Sequence, residues 1–200
     1  KFTIQRAGAA LTRSPEAKDL TYDGTAQDLV TVGTATGGTV VYSLKKDASY
    51  APDDPDGYSE KIPQKTDAGT YIVYYKVRGD ANHADTAIGQ VSVTIKPKQI
   101  DPAITLTPDR PYVYDGMAHE PAVTVKDGAV TIAPAEYSVS YRDNVNAGTA
   151  TVTVSNANGR NYTVNGTAVF QIAKAAPAVT APTAIAGLQY TGAAQALVTA

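Results

Sequence analysis

Apolar and hydroxyl residues alternate along much of this chain. In Thr149-Ala150-Thr151-Val152-Thr153-Val154 the even positions are apolar and the odd ones carry hydroxyls, as in a strand with one buried and one wet face. Residues 90–95 and 167–172 alternate in the same way. Residues 70–77 are β-branched or aromatic almost throughout. There Tyr71, Val73, Tyr75 and Val77 fall on one face and Ile72, Tyr74 and Lys76 on the other, which predicts Tyr71 and Tyr75 in the core. Residues 40–44 and 137–141 predict two middle strands. Turn pairs separate the runs, at Gly37-Gly38, Asp56-Gly57, Asp127-Gly128 and Asn158-Gly159. No segment carries apolar residues at a helical period. Short strands between polar turns predict an all-β fold built as antiparallel sandwiches.

The pattern repeats. Leu20-Thr21-Tyr22-Asp23-Gly24-Thr25-Ala26-Gln27 returns as Tyr112-Val113-Tyr114-Asp115-Gly116-Met117-Ala118-His119. It returns again, altered, as Leu188-Gln189-Tyr190-Thr191-Gly192-Ala193-Ala194-Gln195. From Tyr22 to Tyr114 is 92 residues, and from Tyr114 to Tyr190 is 76. A closing phrase around Phe2-Thr3-Ile4, Val93-Thr94-Ile95 and Phe170-Gln171-Ile172 keeps nearly the same two steps. Self-similarity of this kind marks an array of like modules. Module one spans residues 7–97 and module two residues 98–175. Residues 1–6 read as the last strand of a preceding module or the start of module one, and residues 176–200 as the opening strand of a third. The chain therefore reads as a cut from a longer protein. Tyr22, Gly24, Tyr114 and Gly116 are expected to be structural, forming an opening strand and its turn.

A third marker locates the difference in length. Asp67-Ala68-Gly69-Thr70 matches Asn146-Ala147-Gly148-Thr149. The extra length of module one lies before this marker, in an insertion at residues 47–59. Pro97 and Pro177 follow the closing strands, where proline ends a strand and stiffens the connection. Neighbouring modules are expected to sit nearly end to end with little freedom.

Composition narrows the chemistry. The net charge is −2 and no run of Lys or Arg forms a basic stripe, which argues against nucleic acid as a partner. No apolar stretch is long enough to span a bilayer, so no membrane insertion is expected within this fragment. Cysteine is absent, which removes thiol chemistry and thiolate metal sites. No cofactor or metal is expected. Asp53-Asp54-Pro55-Asp56-Gly57 clusters carboxylates as a calcium site does. It lacks the alternating spacing and distal Glu of a calcium loop, and Pro-Asp-Gly is a strong turn former. His83 and His119 stand in different modules, so neither has a second ligand or a nucleophile beside it in sequence. No Gly-x-Ser-x-Gly elbow precedes a helix, and no catalytic residue is assigned.

Thirteen tyrosines raise the possibility of carbohydrate stacking. Tyr50 and Tyr58 on the insertion, Tyr74 on the outer face of its strand, and Asp53 and Asp56 are the candidate ligand-binding residues. If Tyr50 and Tyr58 pack inward, the modules serve as spacers. If they form an exposed patch beside Asp53 and Asp56, binding gains.

Residues 136–154, followed by Gly159-Arg160-Asn161-Tyr162 and Thr167–Ile172, resemble the tandem repeats of bacterial Ig-like cell-surface and adhesin proteins. Their marks are Tyr-Asp-Gly, Asn-Ala-Gly-Thr-Ala, Asn-Tyr and a closing Phe-x-Ile. Module one departs from the pattern, with Asn82-His83 where module two has Asn161-Tyr162. Its Asp67-Ala68-Gly69-Thr70-Tyr71 looks like the corner of Ig domains, in which a Tyr hydroxyl bonds back to the turn before its strand. Module two has Ala150 in place of Tyr71 and must fix its corner otherwise. Asp67, Gly69, Tyr71, Gly148 and Tyr162 are therefore further structural residues.

The resemblance implies tandem Ig-like sandwiches at a bacterial surface or in a secreted protein. They would act as a non-enzymatic spacer or adhesin stalk whose partners are the neighbouring modules. The alternative is a module that binds a glycan or a host surface protein through residues 47–59. A further alternative is an accessory module of a secreted glycan-active enzyme. Some repeats of this kind form an internal Lys–Asn isopeptide bond, but no triad for one can be named from this sequence. Asn161-Tyr162-Thr163 and Asn165-Gly166-Thr167 would be glycan acceptors only in a eukaryotic secretory setting.

Overall fold

The computed structural model describes residues 2–53, 56–157 and 159–199. Asp54 and Pro55 of the acidic turn, and Asn158 of the expected Asn158-Gly159 turn, lie outside the described residues, as do Lys1 and Ala200. The described residues form strands, with a 3-10 turn at Pro134–Glu136.

In residues 7–96 the longest strand, Gly69–Gly79, pairs antiparallel with Gly38–Ser43 on one side and Gly89–Lys96 on the other. Leu20–Thr21 adds to the far edge of Gly89–Lys96. The opposite layer comes from Ala10–Arg13 against Thr34–Thr36, and Gln27–Asp28 against Gln64–Lys65. Leu29, Val30, Val40, Tyr42, Val73, Val77, Val93 and Ile95 are buried between the layers. Each buried Val or Ile contributes about 1.5–3 kcal/mol, and the β-branched side chains suit the pleated surface.

Residues 98–173 repeat the plan. Gly148–Asn156 lies between Tyr137–Arg142 and Gly166–Ala173, and Tyr112–Val113 adds beyond the latter. Ala103–Thr107, Ala122–Asp127 and Val130–Thr131 form the second layer. Its core has one group around Val125, Ile132, Tyr137, Val154 and Val164, and another around Ala150, Val152, Phe170 and Ile172. Val123 and Val139 pack against both groups and join them. Among the described strands, every ladder closes within one module or within residues 183–199.

Two expectations change. The Tyr-Asp-Gly phrase does not open the module, because Ala10–Arg13 and Ala103–Thr107 precede it in the opposite layer. The short strand leading into it also pairs parallel, Leu20 beside Ile95 and Tyr112 beside Ile172. The phrase thus carries the chain across to the main sheet and lays it beside the closing strand. Gly24 and Gly116 follow at φ 83°, a left-handed conformation that favours glycine. Asp23 and Asp115 brace the turn by accepting from the N–H two residues on. Residues 188–195 show how local this turn is: Gln195 reaches back to Gln189 O and Thr191 Oγ1, as Gln27 does to Thr21 O and Asp23 Oδ1.

Candidate functional site

The insertion at residues 47–59 folds back along the free edge of the main sheet. Tyr42 N–H donates to Ser59 O at 2.7 Å, and Ser59 N–H returns the bond to Tyr42 O at 3.0 Å. Tyr58 N–H donates to Ser49 O and Ala51 N–H to Tyr58 O, closing the loop on itself. An uncovered edge strand is a template for foreign pairing, and here the chain covers part of its own edge.

The three candidate aromatic residues are covered to different degrees. Tyr58 is fully buried, with its hydroxyl donating to Lys46 O at 3.0 Å and Lys76 Nζ 5.4 Å from its ring centre. Burial, then Asp47 and Tyr74, push its phenol above the ordinary range. This corrects the expectation that Tyr58 is available to a ligand: a ring with no accessible surface cannot stack on one. Tyr50 is half-buried under the Arg78 guanidinium, 3.8 Å from its ring centre. Tyr74 is half-buried on the same outer face. Asp53 and Asp56 are exposed, and Asp56 pairs with Lys45 at 2.7 Å. The insertion thus spends its rings on the sheet.

Neither histidine is part of a convergent cluster. His83 Nδ1 lies 2.7 Å from Asp80 Oδ1, and the two form an ion pair when the imidazole is protonated. His119 stacks on Tyr112 at 4.6 Å between ring centres. Among the described residues, no three His, Asp or Glu side chains are placed to hold a metal, and no helix is long and apolar enough to cross a membrane. Among the described residues Lys18, Lys45, Lys76, Lys96 and Lys98 each pair with an aspartate.

The most specific polar geometry on the molecule lies where module one meets module two. The Asn161 carboxamide reaches across: its Nδ2 donates to Asp67 Oδ1 at 3.1 Å, and its Oδ1 accepts from Ala68 N–H at 2.7 Å. Beside it the Tyr22 and Tyr162 rings meet edge to face, 5.2 Å apart at 77°. Each side is braced from within its own module. Tyr71 Oη donates to Asp67 O at 2.8 Å and holds the receiving turn. Tyr22 is fixed by its N–H on Lys96 O at 2.8 Å. Asn161 N–H donates to Glu136 Oε2 at 2.8 Å, and Lys98 N–H donates to Asn161 O at 2.9 Å. Burial at this contact, then Tyr162, Glu136 and Asp67, push the Tyr22 phenol above its ordinary range.

Each hydrogen bond and the ring pair contribute about 0.5–1.5 kcal/mol. Because the connection is short, the contact forms within one chain at high effective concentration. Tyr22, Asp67, Gly69, Tyr71 and Tyr162 therefore meet at or beside one joint. Tyr114 and Gly148 lie at the far end of module two. Sequence reading missed Asn161 as the centre of this joint. The signal was the Asn-aromatic pair recurring at Asn82-His83 and Asn161-Tyr162, which read only as a turn.

No protein-family model matches the sequence, and no curated protein matches it. Among solved structures the chain is similar to the fibronectin(III)-like modules of CbhA from Clostridium thermocellum. The two are 13% identical with a TM-score of 0.27, over 83% of this chain and 94% of that one. A TM-score this low carries no argument, and the all-β assignment rests on the ladders described above.

Proposed function

We propose that this chain is a non-enzymatic structural array, a spacer or stalk segment in the extracellular part of a bacterial cell-surface or secreted protein. The observation that carries the reading is the joint at Asn161. A carboxamide bonded twice to the neighbouring module, beside an edge-to-face tyrosine pair, serves an array whose task is to hold direction over a distance. The insertion supports the same reading, since Tyr58 is buried and Tyr50 lies under Arg78. The surface setting follows from the likeness of the repeats to bacterial Ig-like surface proteins.

A glycan microarray tests the spacer assignment against the binding alternative. The expected result is no retained glycan for the native chain. A hit that is retained by the native chain and lost on Tyr50→Ser with Asp53→Ala would overturn it. Both residues have exposed atoms, and the change leaves the buried Tyr58 in place.

A further inference from the structure

The joint between the modules has a direction. Module one contributes the aromatic ring of the Tyr-Asp-Gly phrase, a side-chain oxygen at residue 67 and the N–H of Ala68. Module two contributes an Asn-aromatic turn, Asn161-Tyr162. The first set is a socket at the far end of a module, and the second is a plug at the near end of the next.

Module two carries a socket of its own. Tyr114 stands where Tyr22 stands, with its N–H on Ala173 O at 2.9 Å as Tyr22 N–H is on Lys96 O. Asn146 replaces Asp67 and keeps a side-chain oxygen that can accept from a carboxamide. Ala147 replaces Ala68 and keeps the backbone N–H. Among the described residues, no hydrogen bond engages the Asn146 side chain or the Ala147 N–H, and Tyr114 is 41% exposed. The turn is positioned without the Tyr71 bond: Asn144 Nδ2 donates to His119 O at 3.0 Å, and His119 N–H donates to Asn144 O at 2.8 Å. Tyr114, Asn146 and Ala147 line one shallow surface with Lys174, Ala175 and Pro177. The departing chain thus runs past this socket, as Pro97 and Lys98 run past the first.

We propose that Tyr114, Asn146 and Ala147 form a docking site for the Asn-aromatic turn of a further module of this repeat, following in the same chain. A carboxamide is the complementary ligand, because the site offers one donor and one acceptor side by side, flanked by an aromatic ring. The in-chain occupant is favoured over a separate partner because residues 188–195 already fold into the turn of the Tyr-Asp-Gly phrase, with Gln195 reaching back as Gln27 does in module one. The near end of module one matches this polarity: the Asn82 side chain is exposed, and His83 follows it. The inference rests on the spacer reading and adds that the joints are all of one kind.

The test is a three-module chain, residues 1–175 followed by a second copy of residues 98–175. NMR residual dipolar couplings then give the orientation of each module. The expected result is one common alignment tensor, with the last module alone released when Asn161→Ala is made in the second copy. Well-dispersed amide spectra for that variant show that it stays folded. A last module that moves independently from the start, while the first two stay locked, overturns this inference and leaves the spacer reading standing. If all three move independently, the joint beneath both readings falls. Concentration-dependent self-association of the native chain that is abolished by Tyr114→Ser would make a second copy the occupant and overturn the in-chain assignment.

Discussion

Module one and module two reach the same frame with opposite choices of side chain. On the Gly69–Gly79 and Gly89–Lys96 strands, Tyr71 sits beside Val93. On Gly148–Asn156 and Gly166–Ala173, Ala150 sits beside Phe170. Ala150 is fully buried, and the ring of this pair is Phe170, packed edge to face against Tyr112 at 5.5 Å. The two pairs exchange which strand carries the ring. The exchange has a cost in hydrogen bonding. A phenylalanine cannot make the bond that Tyr71 makes to Asp67 O, so module two holds its turn through Asn144 and His119. The frame depends on filled volume at the corner and on a tied turn, and different residues can supply each.

The edges differ too. In module one Tyr42 is bonded to Ser59 of the insertion, and in module two the Tyr137–Arg142 strand ends the sheet. The insertion therefore adds a cover to a frame that closes without it.

The largest test of this comparison is Phe170→Ala. It should lower the unfolding free energy of module two by about 3–5 kcal/mol, since it removes the ring from the buried group of Ala150, Val152 and Ile172. Differential scanning calorimetry would read this as a shift of one transition. Tyr58→Ala should cost about 3 kcal/mol in module one through the cavity left under the insertion, measurable by urea unfolding, with module two unchanged. The swap itself can be transplanted. Val93→Phe alone overpacks the corner by about 1–3 kcal/mol, and adding Tyr71→Ala should recover most of that loss; a strictly additive double mutant would show that the two positions do not share a volume. Tyr71→Phe keeps the ring and removes only the bond to Asp67 O. It should cost about 0.5–1 kcal/mol in module one by chemical denaturation, toward the low end because the hydroxyl is exposed.

The smallest effect is acid sensitivity. Asp28 is held below its ordinary range by its hydrogen bond from Gln64 and the charge of Lys18, and Asp85 by Lys76 and the Gly79 N–H. Asp23 and Asp80 are lowered likewise, by bonds from Thr25 and from His83. All four belong to module one. A carboxylate whose folded pKa is depressed adds stability that is present above its unfolded value, about 3.9. That stability is lost as pH falls through the folded value. Module one should therefore lose more stability than module two below about pH 4, read from the tryptophan-free chain by tyrosine fluorescence or amide exchange.

Much of the frame was legible because its strands advertise themselves. The alternation in residues 149–154 and the β-branched run at 70–77 place Gly148–Asn156 and Gly69–Gly79 to within two residues at each end. The second layer of module one was not legible. Ala10–Arg13 and Thr34–Thr36 are short and carry no alternating stripe, so their pairing is decided by the sheet they cover. The parallel pairing of Leu20–Thr21 was hidden for the same reason, since two residues carry no direction. Tyr58 shows the limit on the site side: an aromatic residue in a polar insertion reads as exposed until the path of the insertion is known. Asn161 shows another, because a contact between residues 94 positions apart leaves no periodic trace. Only its recurrence beside an aromatic residue at Asn82 hinted at a role.

The central claim is that the Asn161 contact holds the two modules as one body. Residual dipolar couplings on the native chain measure this directly, with Asn161→Ala as the comparison. A single alignment tensor for residues 7–96 and 98–173 that splits into two on Asn161→Ala is the predicted result. Two distinct tensors already in the native chain, or one tensor that survives the substitution, would contradict it.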